Sequence, residues 1–445
     1  LAKFFRLVKN EYIKTLKKLS TKIMLVLVVL AGLALAGLGA FGKHQMSSDH
    51  YYYYTESDQN YYQDQIDWLE MTQPDGYENQ IVLYKYLKEA DIDTSDSRYE
   101  VAENLAGIFG GSELEGYLDS LFAKNDWKTV CGALKDNAVS EGEKWAYQYR
   151  LDNDVPFGDS WKDEAIEQAA QAKTAMSSEN TEMLSADEAE QYQELEESEK
   201  LALYRLENGI ELNTADNLSL FETYEADQVN FWTVFYTSAS MIPIIGLLII
   251  VVAGSSVASE FSQGTIKFLL INPVKRWKIL MAKYFTVISL GYIMLALLYL
   301  VMIPAIGVFI GFEGIGAPYL YVDNGTVCSI SSFVRAAQMY LLNSVSIIIM
   351  ATLAFAVSSL FRSAAFSIGI TVFLMLAGNT IVSLLKAFNQ DWARYLVFSN
   401  TDLKSIAEGT PIFAQQTLTF AIAVLVAHMA VFILTAWDGF VKREV

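Results

Sequence analysis

The chain has 445 residues, 53% hydrophobic and 19% charged, with a formal net charge of −19. Soluble domains carry nearer a quarter charged residues, and the apolar excess here falls in long uncharged runs, which excludes an ordinary soluble globule and points to an integral membrane protein. Three histidines (His44, His50, His428) and two cysteines (Cys131, Cys328) provide no HExxH pattern and no zinc-type spacing, so no metal site is expected.

The charge is segregated. Residues 43–230 hold 13 Lys and Arg against 42 Asp and Glu, a balance of −29, whereas the other residues hold 19 against 9, a balance of +10. Two environments on two sides of a membrane explain such a split.

Residues 1–22 are basic: Lys3, Arg6, Lys9, Lys14, Lys17, Lys18 and Lys22 face one acid, Glu11. Phe4, Phe5, Val8, Tyr12, Leu16 and Leu19 recur at helical spacing. This predicts an amphipathic helix lying in the lipid interface, and also a topology anchor. Residues 23–42 form the first predicted span, uncharged and of crossing length; it reads as a retained helix and not as a cleaved signal.

Residues 43–230 read as a mostly helical acidic domain, poor in Gly and Pro. Ser185-Ala-Asp-Glu188 fits a capping box opening a helix through about Asn208. A helix near Leu218 is expected to run unbroken into the second span. The acidic surface either steers cations and cationic peptides or simply keeps the domain solvated. Tyr51 to Tyr54 suit an interfacial aromatic belt. Asn217-Leu-Ser and Asn324-Gly-Thr are glycosylation sequons by pattern, a pattern common by chance. Cys131 and Cys328 both fall in predicted outer segments, either as one disulfide or as two free thiols.

The remaining predicted spans are 231–258, 279–312, 334–361, 364–385 and 418–437, with Pro243 and Pro304 as kink sites. Residues 313–333 and 386–417 are read as outer loops, and 438–445 as a tail on the side of the N-terminus. Basic residues gather at the N-terminal tail, at Lys267, Lys275, Arg276, Lys278 and Lys283 between spans two and three, at Arg362, and at Lys442 and Arg443. All fall on one side of a six-span layout, which the positive-inside rule makes cytoplasmic. Residues 43–230 are then extracytoplasmic. The polar patch Asn379, Thr380 and Ser383 in span five reads as helix-packing glue before it reads as a substrate contact.

The loop 259–278 carries the most information. Ser255, Ser256 or Ser259 could cap a short helix with Val257, Phe261 and Phe268 on its apolar side, broken at Asn272-Pro273. Such an element suits either docking on a partner or a bare basic re-entry loop.

Glu260, the run Gly264-Thr265-Ile-Lys267, Pro273-Val and Arg276 to Lys283 resemble the first cytoplasmic loop of type-2 ATP-binding-cassette (ABC-2) permeases. The basic N-terminal helix and the ending Phe440-Val-Lys442-Arg443-Glu are similar to that family too. The resemblance covers about 60% of the chain by its loop, span layout and two ends; the long outer insertion departs from the shortest family members. It implies an all-α, six-span membrane subunit with a mostly helical extracellular domain. Glu260, Phe261, Gly264, Thr265 and Lys267 would form a coupling helix that docks on a separate cytoplasmic ATPase dimer. A second permease copy, or a related permease, would complete the complex in a bacterial plasma membrane. ATP and Mg would bind the partner ATPase; this chain would carry no cofactor and no catalytic residue. Its cargo would be a drug, an antimicrobial peptide or another amphipathic molecule.

The chain has no GxxxxGK[ST] loop, which agrees with a non-enzymatic subunit. Acids are missing from the middle of the predicted spans, which disfavours an ion-coupled transporter, and nothing suggests an intramembrane protease or a nucleic-acid partner. The competing reading is a membrane sensor whose outer domain binds a ligand and whose loop recruits a signalling partner.

Overall fold

The computed structural model describes residues 2–54, 58–74, 76–92, 94, 96–158, 160–178, 186–212, 229–264 and 274–442. Among the described residues the protein is all-α apart from one two-stranded hairpin. Six helices are long and apolar enough to cross a membrane: Leu19–Gln45, Phe231–Ser262, Arg276–Phe309, Ser332–Phe361, Ala364–Ala387 and Leu418–Lys442, spans one to six. Each exceeds the ~20 residues that a ~30 Å hydrocarbon core requires. The protein is therefore embedded in a membrane.

Spans two and four form the centre of the bundle. They meet through small residues, since lipid supplies no hydrophobic drive between helices and contact depends on close approach. Ala253, Ala258, Ala351, Ala354 and Ala356 are buried there, and the Ala258 N–H donates to Ser358 Oγ at 3.0 Å. A Cβ added to Gly254 would stand 2.8 Å from Ile368 of span five, so only glycine permits that crossing. Spans five and six bury least of their surface.

Span two does not continue a helix from the preceding domain. Asn230 is extended and its side chain accepts from the N–H groups of Trp232 and Thr233, so the span opens on its own N-cap. Leu218 lies outside the described residues. A 3₁₀ turn at Ser238–Met241 interrupts the span just before Pro243, while Pro304 sits inside the continuous helix of span three.

Above the bundle, eight helices from Asp58 to Asn208 make a separate domain. Its main core joins Tyr62, Leu83, Leu87, Leu105, Leu114, Leu118, Val130 and Leu134. Asp96, Asp126 and Ser140 cap three of these helices, Ser140 with Glu143 in a reciprocal capping box. The helix read as ending near Asn208 spans Ala186–Asn208, though its proposed cap Ser185 lies outside the described residues. Arg205 is buried at its end, pairing with Glu164 and donating to the carbonyls of Ile210 and Glu211. That places a cation at the negative end of the helix dipole and ties down the chain that leaves the helix.

Segment 313–333, read as a loop, instead contains β1 (Pro318–Asp323) and β2 (Thr326–Ser331), paired antiparallel. Asn324 and Gly325 make the turn at φ of 49° and 79°, the backbone a two-residue hairpin requires. Both strands pack on the helix Ala186–Asn208. Trp232 Nε1 donates to Gly314 O at 3.0 Å nearby, so hairpin, outer domain and span two are tied together. Segment 386–417 folds as short helical turns, and two buried amides, Asn400 and Gln416, tie its turns together. Asn400 donates to the carbonyls of Arg394 and Leu396, and Gln416 to Ser399 O and Asn400 Oδ1. Such pairing is what non-helical chain needs where water is scarce. Cys131 and Cys328 are both free.

Candidate functional site at the base of the bundle

The end of the bundle opposite the outer domain gathers the N-terminal helix and the ends of spans two, three, four and six. Span two continues to Ser262, one turn past its predicted end. Ser255, Ser256 and Ser259 therefore sit inside a helix and cap nothing; Ser255 Oγ donates back to Val251 O, the ordinary fate of a mid-helix serine. Gly264 ends the helix with φ 68°, its N–H bonded to Phe261 O. That left-handed stop favours glycine, and a Cβ there would meet nothing within 4 Å among the described residues.

Glu260 is the centre of the site. It is 5% exposed and points into the bundle, not out along the loop. Its Oε1 accepts from Lys14 Nζ at 2.6 Å and from Lys283 Nζ at 3.0 Å. Lys283, 2% exposed, also donates to Glu11 Oε2 at 2.9 Å. Four alternating charges thus join the N-terminal helix (Ala2–Lys17) to spans two and three. A lone buried Lys or Glu would be severely penalised; each is tolerable here because the other faces it with hydrogen bonds. Val8 and Tyr12 seat the same helix on span three, with Tyr12 donating to Ser289 Oγ, while Phe5, Leu16 and Leu19 stay exposed.

Phe261, half-buried, lies under the Arg362 guanidinium at 4.3 Å from the ring centroid. Arg362 itself ends span four in the left-handed region at φ 55°. Trp277 at the start of span three stacks on Trp437 at the end of span six, with ring centroids 6.3 Å apart. Gly439 brings span six against the backbone of Ser359, where a Cβ would stand 2.9 Å from that carbonyl oxygen. Spans two, three, four and six are therefore knotted where the loop leaves and returns. Thr265 and Lys267 lie outside the described residues.

A polar cavity of about 70 Å³ lies beside the ion pairs, between the N-terminal helix and spans two and three. Glu11, Lys14, Thr15, Lys18, Ser256, Ser259, Glu260, Gln263 and Lys283 line it. Among the described residues no group of three or more His, Cys, Asp or Glu is placed to hold a metal.

The structure brings together Glu260 and Phe261 as adjacent but differently engaged residues. The sequence reading missed that Glu11, Lys14 and Lys283 belong with Glu260, treating them as topology charges. Two signals pointed to them: Glu11 is the lone acid in a basic tail, and Lys283 stands inside the apolar run of span three, where an ionisable residue needs a partner.

These features define an integral membrane protein with six helices of spanning length, a helical domain beyond one end of the bundle and a charged base at the other, where the loop between spans two and three begins and ends. The chain belongs to DUF2705, described as a protein family of unknown function, whose match covers residues 213–445. It is 36% identical over 216 residues to the "Uncharacterized protein YhcI" of Bacillus subtilis strain 168, over 48% of this chain and 69% of that one. It is 31% identical over 199 residues to the "Uncharacterized membrane protein YdbK" of the same organism, over 44% of this chain and 76% of that one. No solved structure matches. Glu260 and Lys283 fall within the family match, and Glu11 and Lys14 before it.

Proposed function

We propose that this chain is the permease subunit of an ATP-driven exporter of the ABC-2 type, seated in a bacterial plasma membrane with its base in the cytoplasm and its outer helical domain outside. The observation that carries the reading is the Glu11–Lys283–Glu260–Lys14 network at the root of the loop between spans two and three. A push on that loop by a docked partner reaches spans two and three and the N-terminal helix together, because buried charge pairs resist separation. The residue roles then differ along the loop. Glu260 anchors the loop's root from inside and does not itself touch the partner. Gly264, with open space over its Cα among the described residues, together with Thr265 and Lys267, forms the docking face. ATP and Mg bind on the partner ATPase, and the transported molecule is a drug, an antimicrobial peptide or another amphipathic compound. A second copy, or a related permease, completes the membrane part.

The test is co-purification. The tagged full chain, gently solubilised from its native membranes, brings down an ABC-type ATPase. Gly264→Asn, which keeps the left-handed turn, retains the ATPase, and Gly264→Trp, which fills the docking face, loses it. A folded chain that brings down no ATPase refutes the permease, and capture of a signalling protein in its place establishes the sensor reading.

A further inference from the structure

We propose that the cavity between the N-terminal helix and spans two and three is a binding site for the phosphate of an anionic phospholipid headgroup. The carboxylates of Glu11 and Glu260 are engaged by Lys283 and Lys14. What is left facing the cavity is rich in donors. The hydroxyls of Thr15, Ser256 and Ser259, the Gln263 amide and the Lys18 ammonium line it, and none makes a side-chain hydrogen bond or ion pair among the described residues. Three lysines and two glutamates leave the lining at +1. A phosphodiester carries one negative charge and only acceptor oxygens on its phosphate, so it can take every one of these donors, and the +1 lining favours it over a cation.

Size and position agree. About 70 Å³ holds several waters, each needing roughly 10–15 Å³, which is also space for the compact five heavy atoms of a phosphate. Lys18 stands at the break between the N-terminal helix and span one, and beside it Leu19 is 72% exposed and Ile23 50% exposed. These apolar side chains offer the acyl chains a path along span one while the phosphate sits among the donors. A free phosphate would satisfy the same donors but gain nothing from Leu19 and Ile23, so the lipid is the source the structure favours. The inference does not depend on what the loop docks.

The experiment uses the full chain in bilayer nanodiscs of mixed phosphatidylglycerol and phosphatidylcholine, followed by delipidation and native mass spectrometry of the lipid retained. One phosphatidylglycerol per chain is expected to persist. Its retention is expected to fall about tenfold in Lys18→Gln, the scale of one charge-assisted hydrogen bond, and further in Ser256→Ala/Ser259→Ala. Lys9→Gln removes one charge from the same helix but does not line the cavity, and should leave retention unchanged. Equal losses in Lys9→Gln and Lys18→Gln, or none in either, would reduce the effect to bulk surface charge and overturn the site. Displacement of the retained lipid by inorganic phosphate would assign the site to the free ion and overturn the lipid assignment.

Discussion

The surface of the outer domain and the base of the bundle use the same residue types to opposite ends. In the outer domain, Lys200 pairs with Glu196 one helical turn away, both side chains partly in water, and such a pair is worth only about 0.3–0.5 kcal/mol. At the base, Lys283 and Glu260 are buried and share hydrogen bonds with Lys14 and Glu11. The outer domain draws its stability from a leucine-rich core, well-capped helices and two pairs that bury Arg150 against Asp163 and Arg205 against Glu164. The base draws its uniqueness from charges that can only be buried together. The lesson is that a charge's contribution is set by its solvent and its partner, and a count of charges along the chain does not reveal it.

The sharpest way to break this contrast is to remove one charge at the base. Glu260→Ala takes from buried Lys283 one of its two carboxylate partners, and Lys283→Met takes from buried Glu260 one of its ammonium partners; each is expected to destabilise the protein by up to about 3–5 kcal/mol, read as a lower unfolding temperature in detergent. The double variant Glu260→Leu/Lys283→Met should recover most of the loss. Additive losses would show that the two residues are not energetically coupled. Where two helices of the outer domain touch, the effect expected is steric. Gly142 faces the helix Trp161–Ser178 so closely that a Cβ would meet Ala170 O at 2.0 Å, and Gly142→Ala should cost about 1–3 kcal/mol by forcing the two helices apart. Ser140→Ala, which removes one half of a capping box, should cost about 1 kcal/mol. Orphaning an outer charge by Glu196→Gln should shift stability by less than about 0.5 kcal/mol, and a larger shift would erase the contrast with the base.

The smallest effect concerns reactivity. Burial pushes the Cys131 thiol up to about 11, opposed by the positive charges of Arg150 and Lys135. Since only thiolate is alkylated, Cys131 should stay unmodified near pH 8 in the folded chain while the half-buried Cys328 reacts. The sign for stability follows: the unfolded thiol ionises before the folded one, so this group's contribution is present below the ordinary thiol range and declines as pH rises toward 11. Alkylation mapped by mass spectrometry distinguishes the two sites.

The spans were legible because ~20 apolar residues in a row have few other fates. The outer domain's helical class followed from its composition. The hairpin was missed, although Asn324-Gly325 between Tyr319, Tyr321, Val322 and Val327, Ile330 is a strong local hairpin signal. The start of span two at Phe231 was legible; the unbroken helix expected to lead into it was not the outcome, because Asn230 caps the span and breaks continuation. At the base, Glu260 and Phe261 stood out from the loop pattern, but their partners are supplied by Lys14, Lys283 and Arg362, up to 246 residues away. Nothing local in a sequence states such pairings; they exist only once the helices are packed.

The central claim is that the loop at this base docks an ATPase. Gln263 is exposed at the start of that loop, so a photo-crosslinking amino acid placed there, in the full chain in native membranes, labels whatever the loop touches. The account predicts an adduct with an ABC-type ATPase, formed from Gln263 and absent from the same probe at Val139, which is 94% exposed on the outer domain. An adduct at Gln263 with a signalling protein, or with membrane proteins alone while the ATPases of the cell stay unlabelled, would contradict it.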